Sequence, residues 1–380
     1  MREEGRISAL QLIFYQITAA LATLILFTPA LATSRARYDI WLSGILTCLF
    51  GFLIAAVAAK LALRFPRQTV IQYTPRLLGN FLGKAVGFIY VFYFLFVAYI
   101  NQRQFGELMT TSYFPDTPII VFISILTLLA CYLVYQGLEV ICRVITLWSV
   151  FSVSFFLILV LVAKDIEITR FQPFLEHGIG PVVAGMISPA ALIGEVSIIL
   201  MVLPFVSDKR RAVISSMAAV FVLFVFWEIV VVATVGTMGV ETVSRLVFPL
   251  FTLYRRVELV TLPLLERQDA VLMVLWVGGL LWKLGIFLHA GVLGLGQLLG
   301  LKSYRPLILP MGALAVALSM QGWEGVPDLI NSLRVRSRFI YFPEFVIPAF
   351  LLFIAALRGV RDQPPPEGGG LRAPAPDKET

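Results

Sequence analysis

The chain has 380 residues, of which 59% are hydrophobic and 14% charged, and its formal net charge is +7. Several stretches exceed the roughly 18 uncharged residues that mark a spanning helix, which excludes a soluble fold and predicts a polytopic α-helical membrane protein. The lysines and arginines lie in short loops between these stretches, where they set topology, so the positive balance does not point to nucleic acid.

Ten spans are expected in chain order: Leu10 to Ala32, Ile40 to Leu63, Leu82 to Met109, Pro118 to Gln136, Val144 to Val162, Pro181 to Val206, Ala212 to Met238, Ala270 to Leu299, Leu307 to Met320 and Phe339 to Leu357. The first resembles a signal peptide, with Ala30-Leu31-Ala32 as a small-residue site. Its apolar run is too long for that, and Glu3 and Glu4 spoil the basic head, so it reads as a span. An even number of spans puts both termini on one side. Lys60, Arg64, Arg67, Arg76, Lys84, Arg143, Lys209, Arg210 and Arg211 then favour the cytoplasm for that side.

Within the first span, Thr18-Ala19-Ala20-Leu21-Ala22-Thr23 and Thr28-Pro29 make an uneven middle. The sixth span is more plainly interrupted. It carries Ser188, Pro189, Gly194 and Glu195, and a carboxylate at bilayer depth faces a partner or a cavity, not lipid. Interruptions at matching positions of two halves predict inverted repeats with a site between the breaks. Span three carries Arg103 and Glu107 at i, i+4 beside Asn101, Gln102 and Gln104, which gives a structural pair, a snorkelling pair or a ligand contact. Glu139 and Arg143 share the same spacing between spans four and five and read as an interface salt bridge beside a hinge. Glu228 is a second carboxylate at depth. The loop from Gly239 to Asp269 alternates apolar and charged residues and predicts short surface helices. In span eight, Lys283 needs a counter-charge, for which Glu195 and Glu228 are the candidates, or else it snorkels to the interface.

Residues 1–358 read as one transmembrane domain, with repeats over about 8–163 and 178–358. Residues 359–380 read as a disordered cytoplasmic tail, because Pro364 to Gly370 has too little apolar content to fold. Cys48, Cys131 and Cys142 are scattered, and His177 and His289 lie far apart, so neither a disulfide framework nor a metal site is expected. There is no P-loop, HExxH, CxxC or nucleophile elbow, so neither a cofactor nor an enzyme is expected.

Further stretches carry a family resemblance: Ile7-Ser8-Ala9-Leu10-Gln11, Asp39-Ile40-Trp41-Leu42-Ser43, Arg103-Gln104-Phe105-Gly106-Glu107, Phe114-Pro115-Asp116-Thr117-Pro118, Leu203-Pro204-Phe205-Val206 and Gly300-Leu301-Lys302-Ser303-Tyr304-Arg305-Pro306. In order and spacing the chain resembles the spore germination permease family. This family is the transporter-like B subunit of nutrient germinant receptors, within the amino acid, polyamine and organocation superfamily. The resemblance implies two inverted five-helix repeats and a small-nutrient pocket between broken first and sixth spans, walled by the third and eighth. It also implies an amino acid as the commonest ligand, companion A and C subunits, and the spore inner membrane. Where the family usually has glycine in the middle of span one, this chain has Ala19, Ala20 and Ala22. Together the two readings nominate Ala22, Thr23, Arg103, Ser188, Gly194, Glu195 and Lys283 for ligand contact, and Glu195, Glu228 and Lys283 for gating or proton linkage. A working proton-coupled amino acid permease is the alternative function.

Overall fold

The computed structural model describes residues 5–160, 163–256, 268–323 and 339–362, together with Gly325 and Asp328. Seven helical runs among them are long and apolar enough to cross a membrane. One of these runs holds two helices, α1 (Ala9–Ala36) and α2 (Ile40–Arg64), joined by a single tight turn. Phe81, Leu147, Phe151, Ile214 and Phe353 are all more than 60% exposed, as suits side chains that meet lipid and not water. The protein is therefore a multi-pass integral membrane protein.

After α2 comes the short α3 (Val70–Leu78), which the sequence reading did not separate from its loop. Then follow α4 (Asn80–Ser112), α5 (Ile119–Gln136) and α6 (Leu138–Val160). Gly137 reverses the chain between α5 and α6 at φ 91°, a conformation that a side chain would strain. The sixth predicted span begins as α7 (Ile179–Ile193). It tightens into a 3-10 stretch over Gly194–Ile198, resumes as the single turn α8 (Ile199–Val202), and ends in a second 3-10 turn at Leu203–Phe205. Next are α9 (Ala212–Met238), the short α10 (Val240–Arg245) and α11 (Pro249–Arg256), then α12 (Gln268–Leu298) and α13 (Ile308–Gln321). The chain ends in a π-helical stretch, Phe342–Val346, that runs into α14 (Ile347–Leu357). The short helices expected between Gly239 and Asp269 are present as α10 and α11, but α11 does not lie on the surface as expected: Leu250, Phe251, Leu253 and Tyr254 are buried, Phe251 against Trp276 of α12, and residues 257–267 are outside the described part.

The centre of the molecule is α1, which is buried over most of its length and packs on α7, α9 and α12. Its start is fixed by a capping box, in which Ser8 and Gln11 each satisfy the other's backbone N–H. The expected break in this span is absent, because Ala9–Ala36 is one α-helix. Alanines at 19, 20 and 22 favour helix, and the Thr28 and Thr33 hydroxyls donate back to the Leu24 and Pro29 carbonyls at 2.6 Å each. Pro29 is carried inside the helix without interrupting it.

The tail expected from residue 359 starts attached to the bundle. Arg64 Nε donates to the Val360 carbonyl at 2.9 Å, and the Asp362 N–H donates to the Arg64 carbonyl at 3.0 Å. Residues 363–380, where the disordered tail is expected, lie outside the described residues.

Candidate functional site

The interruption of the sixth span falls later than Ser188 and Pro189, which both remain within α7. The helix changes form at Gly194, a position that only glycine fits, because a Cβ there would lie 2.0 Å from Glu344 Oε2. Tightening to 3-10 geometry redirects carbonyls, and the one on Val196 accepts a 2.7 Å bond from Gln16 Nε2 of α1. The same amide donates to Ser216 Oγ at 3.0 Å, so Gln16 ties α1, the break and α9 together.

Glu195 projects from this break to Lys283 of α12. The ammonium donates to both carboxylate oxygens, at 2.9 and 2.7 Å, and the two side chains are only 3% and 2% exposed. A doubly bonded pair in a dry interior holds its geometry tightly, since losing one partner strands the other charge. Beside it stands Glu344, fully buried in the π-helical stretch and accepting a 2.6 Å bond from the Tyr93 hydroxyl of α4. Two carboxyl groups, one ammonium and one phenol therefore meet where a 3-10 stretch and a π-helical stretch touch.

The nominated residues divide. Glu195, Gly194 and Lys283 come together. Ser188 is half-buried about two helical turns earlier in α7 and is not in this cluster. Glu228 is not the partner of Lys283. It packs on Gly44 of α2, and its Oε1 is buried with no hydrogen-bond partner among the described residues. Arg103 is taken up by Glu107, at 2.7 Å from Nε and 2.6 Å from a terminal nitrogen, and by the Ser319 carbonyl at 3.1 Å. Ala22 offers its carbonyl to Trp276 Nε1 at 2.8 Å, and Thr23 Oγ1 is buried without a partner among the described residues. Ala22 also borders a cavity of about 200 Å³, lined by apolar side chains including Ile17, Leu21, Trp148, Phe226 and Trp276.

Glu344, Tyr93 and Gln16 were not foreseen. Glu344 had a readable signal, a lone carboxylate between Pro343 and Pro348 in the last span, since a carboxylate at that depth needs a partner. Tyr93 had none, being one aromatic among many in span three.

Comparison with known proteins identifies the relatives. Residues 6–322 match the model of a family described as spore germination protein. The chain belongs to this spore germination protein family. Within the family, it is 27% identical over 368 residues to spore germination protein KB of Bacillus subtilis (strain 168), covering 94% of this chain and 97% of that one. It is 26% identical over 314 residues to spore germination protein YndE of the same organism, covering 82% and 85%. Among solved structures it superposes on MhsT in complex with L-phenylalanine with a TM-score of 0.67, at 12% identity, covering 94% of this chain and 91% of that one. It superposes on MHP1, a nucleobase-cation-symport-1 family transporter, with a TM-score of 0.60, at 11% identity, covering 92% and 78%. This germination protein therefore has a transporter fold.

Proposed function

We propose that this protein is the transporter-like, nutrient-sensing subunit of a spore germinant receptor. It binds a small nutrient, an amino acid in this reading, beside the break in the sixth span and passes the signal to companion A and C subunits in the spore inner membrane. Family membership supports the setting, and the buried Glu195–Lys283 pair at the break carries the site. Ten spans in two inverted repeats, with both termini cytoplasmic, form the frame. The packing supports that arrangement: α1 packs on α7, α2 on α9, α4 on α12 and α5 on α13, each joining equivalent positions of the two halves.

In this reading Glu195 and Lys283 gate the site. Gly194 and Ser188 belong to the half-helix that ends at the break, Ala22 and Thr23 form the wall from the first span, and Arg103 braces the third. Binding shifts the two halves between packings, and only a ligand with different affinity for the two states does so. Thermal unfolding of the purified protein with a panel of amino acids, sugars and nucleosides tests this. One class of compound is expected to raise Tm, and Glu195→Gln to abolish the rise. A variant that keeps both its fold and its ligand response removes Glu195 from the site.

A second reading, a working proton-coupled amino acid permease with Glu195, Glu228 and Lys283 as the titrating groups, draws on the fold shared with MhsT, whose structure holds L-phenylalanine. Uptake of a stabilising amino acid into proteoliposomes under a proton gradient distinguishes it. Accumulation assigns transport, and binding without accumulation assigns sensing.

A further inference from the structure

The apolar cavity of about 200 Å³ has walls from α6, α9 and α12 around a floor made by α1. Its α1 residues include Ile13, Ile17, Leu21 and Ile25 at four-residue spacing, so it runs for about 18 Å along one face of that helix. This is a groove, and its length is close to the hydrocarbon depth of one leaflet, about 15 Å. No charged side chain lines it, and the Ser149 and Ser152 hydroxyls donate back to the Ile145 and Trp148 carbonyls at 2.8 and 3.0 Å. Its rims face lipid: Leu147, Val150 and Phe151 are exposed beside the α6 wall, Phe221 beside Val222 of α9, and Val274 beside Leu275 of α12. Water does not enter an apolar space at this depth, whereas hydrocarbon does.

Three of these helices begin side by side. Gly5 lies against the start of α6, where a Cβ on it would meet Glu139 Cβ at 3.0 Å, and Ile7 bonds through its backbone to Phe205 and Ser207, just ahead of α9. Around the three starts stand Arg6, Arg143, Lys209, Arg210 and Arg211, against the acids Glu139 and Asp208. Arg143 pairs with Glu139 and Arg211 with Asp208, but the two arginine side chains are 68% and 72% exposed. Ion pairs that exposed are weak and give way readily to another anion. The groove ends at Ile13, about one turn from the start of α1, and so it runs down toward this excess of positive charge.

We propose that the groove is a binding site for an anionic phospholipid of the surrounding bilayer, with one acyl chain along the α1 stripe between α6 and α9 and the phosphate among the cations at the helix starts. The length of the groove selects a hydrocarbon chain over a compact ligand, and the charge at its end selects an anionic headgroup over a zwitterionic one. The upper part of the chain lies against Ala22, Trp276 and Gly279, and Gly279 is one turn from Lys283 on α12. The lipid therefore packs behind the turn of α12 that presents Lys283 to Glu195. This inference does not depend on the nutrient-binding reading.

The test is photocrosslinking of the full chain in nanodiscs with phosphatidylglycerol or phosphatidylcholine that carries a diazirine in the middle of one acyl chain, followed by peptide mapping. Adducts are expected on Ile13–Ile25 and Trp148–Ser152, and at least about fivefold more of them from phosphatidylglycerol, the worth of one cation at the membrane surface. The exposed Leu128, Leu129 and Tyr132 of α5 serve as the reference and are expected to label equally from both lipids. Ser152→Phe, which fills the groove, is expected to remove the α1 adducts and keep those on α5. Should Ser152→Phe fail to fold, Val222→Trp from the facing wall carries the same expectation. Arg6→Gln/Arg143→Gln/Arg211→Gln is expected to bring phosphatidylglycerol labelling of α1 down to that of phosphatidylcholine. The site is overturned if α1 labels no more than α5, if the two lipids label α1 equally in the unmodified chain, if the groove-filling variants fold and keep their α1 adducts, or if the arginine variant keeps the full preference. Adducts on α5 with none on α1 leave the groove to a small apolar molecule or a partner's helix, and overturn the proposal.

Discussion

Lys283 is held by Glu195 through two bonds in a place that water does not reach. Removing one member strands the other, so Lys283→Met and Glu195→Gln are each expected to cost about 3–5 kcal/mol. The double variant Lys283→Met/Glu195→Met removes both charges and is expected to recover most of that loss, which chemical unfolding of all three measures. A double variant as unstable as the sum of the singles would show that the pair is not coupled. Gly194 makes a similar point about shape. A methyl there meets the Glu344 carboxylate, which is anchored by Tyr93 and cannot easily retreat. Gly194→Ala is therefore expected to destabilise by about 1–3 kcal/mol. Adding Glu344→Ala is expected to return part of it, and unfolding midpoints of the pair check the claim.

At the scale of elements, the contrast between α1 and the sixth span explains what was legible. Both carry a proline, but Pro29 follows a run of alanines that favours helix, whereas Gly194 faces a carboxylate from another span. The sequence shows the first kind of influence and hides the second, because Glu344 lies far along the chain. So the long apolar helices, the need of Lys283 for a carboxylate and the short helices after Gly239 were readable from local pattern, while the choice of Glu195 over Glu228 was not. The intact first helix, the later position of the break, and the contributions of Gln16 and Tyr93 were not, because each depends on a tertiary neighbour. Gln16 is the test at this scale. Its amide donates to the Val196 carbonyl, which also accepts the Ile199 N–H within the break, and to the Ser216 hydroxyl. Gln16→Leu is expected to cost on the order of 1–3 kcal/mol, since the buried Ser216 hydroxyl and Val196 carbonyl each lose this donor. Hydrogen exchange is expected to rise at Gly194–Ile198 before it rises elsewhere, and uniform exchange across the bundle would place the support of the break in some other contact.

For the whole molecule, the proposed inverted repeat implies a definite sidedness. Ile7 pairs with the chain just after the sixth span, donating its N–H to the Phe205 carbonyl at 3.0 Å, while its own carbonyl accepts from Ser207 at 2.9 Å. The start of the first half and the end of the first span of the second half therefore share one face. In an inverted arrangement the connection between α12 and α13 lies on that face too, and those between α4 and α5 and between α6 and α7 lie on the other. The native Cys48, Cys131 and Cys142 are all buried and free, so they give little background to a thiol reagent. Cysteines placed at exposed Ser207 and Ser303 are expected to react from the cytoplasmic side with a membrane-impermeant maleimide, and cysteines at exposed Asp116 and Thr169 from the opposite side. The comparison uses sealed inside-out and right-side-out vesicles, with detergent to show that every site is reactive. If Asp116 and Ser303, which lie in equivalent connections, label from the same side, the two halves are not inverted copies, and the pairing of α4 with α12 is ordinary helix packing and not the trace of a repeat. If all four sites separate as expected but with the sides exchanged, the repeat stands and the termini face outward, because the geometry that relates the halves does not depend on which leaflet each face meets.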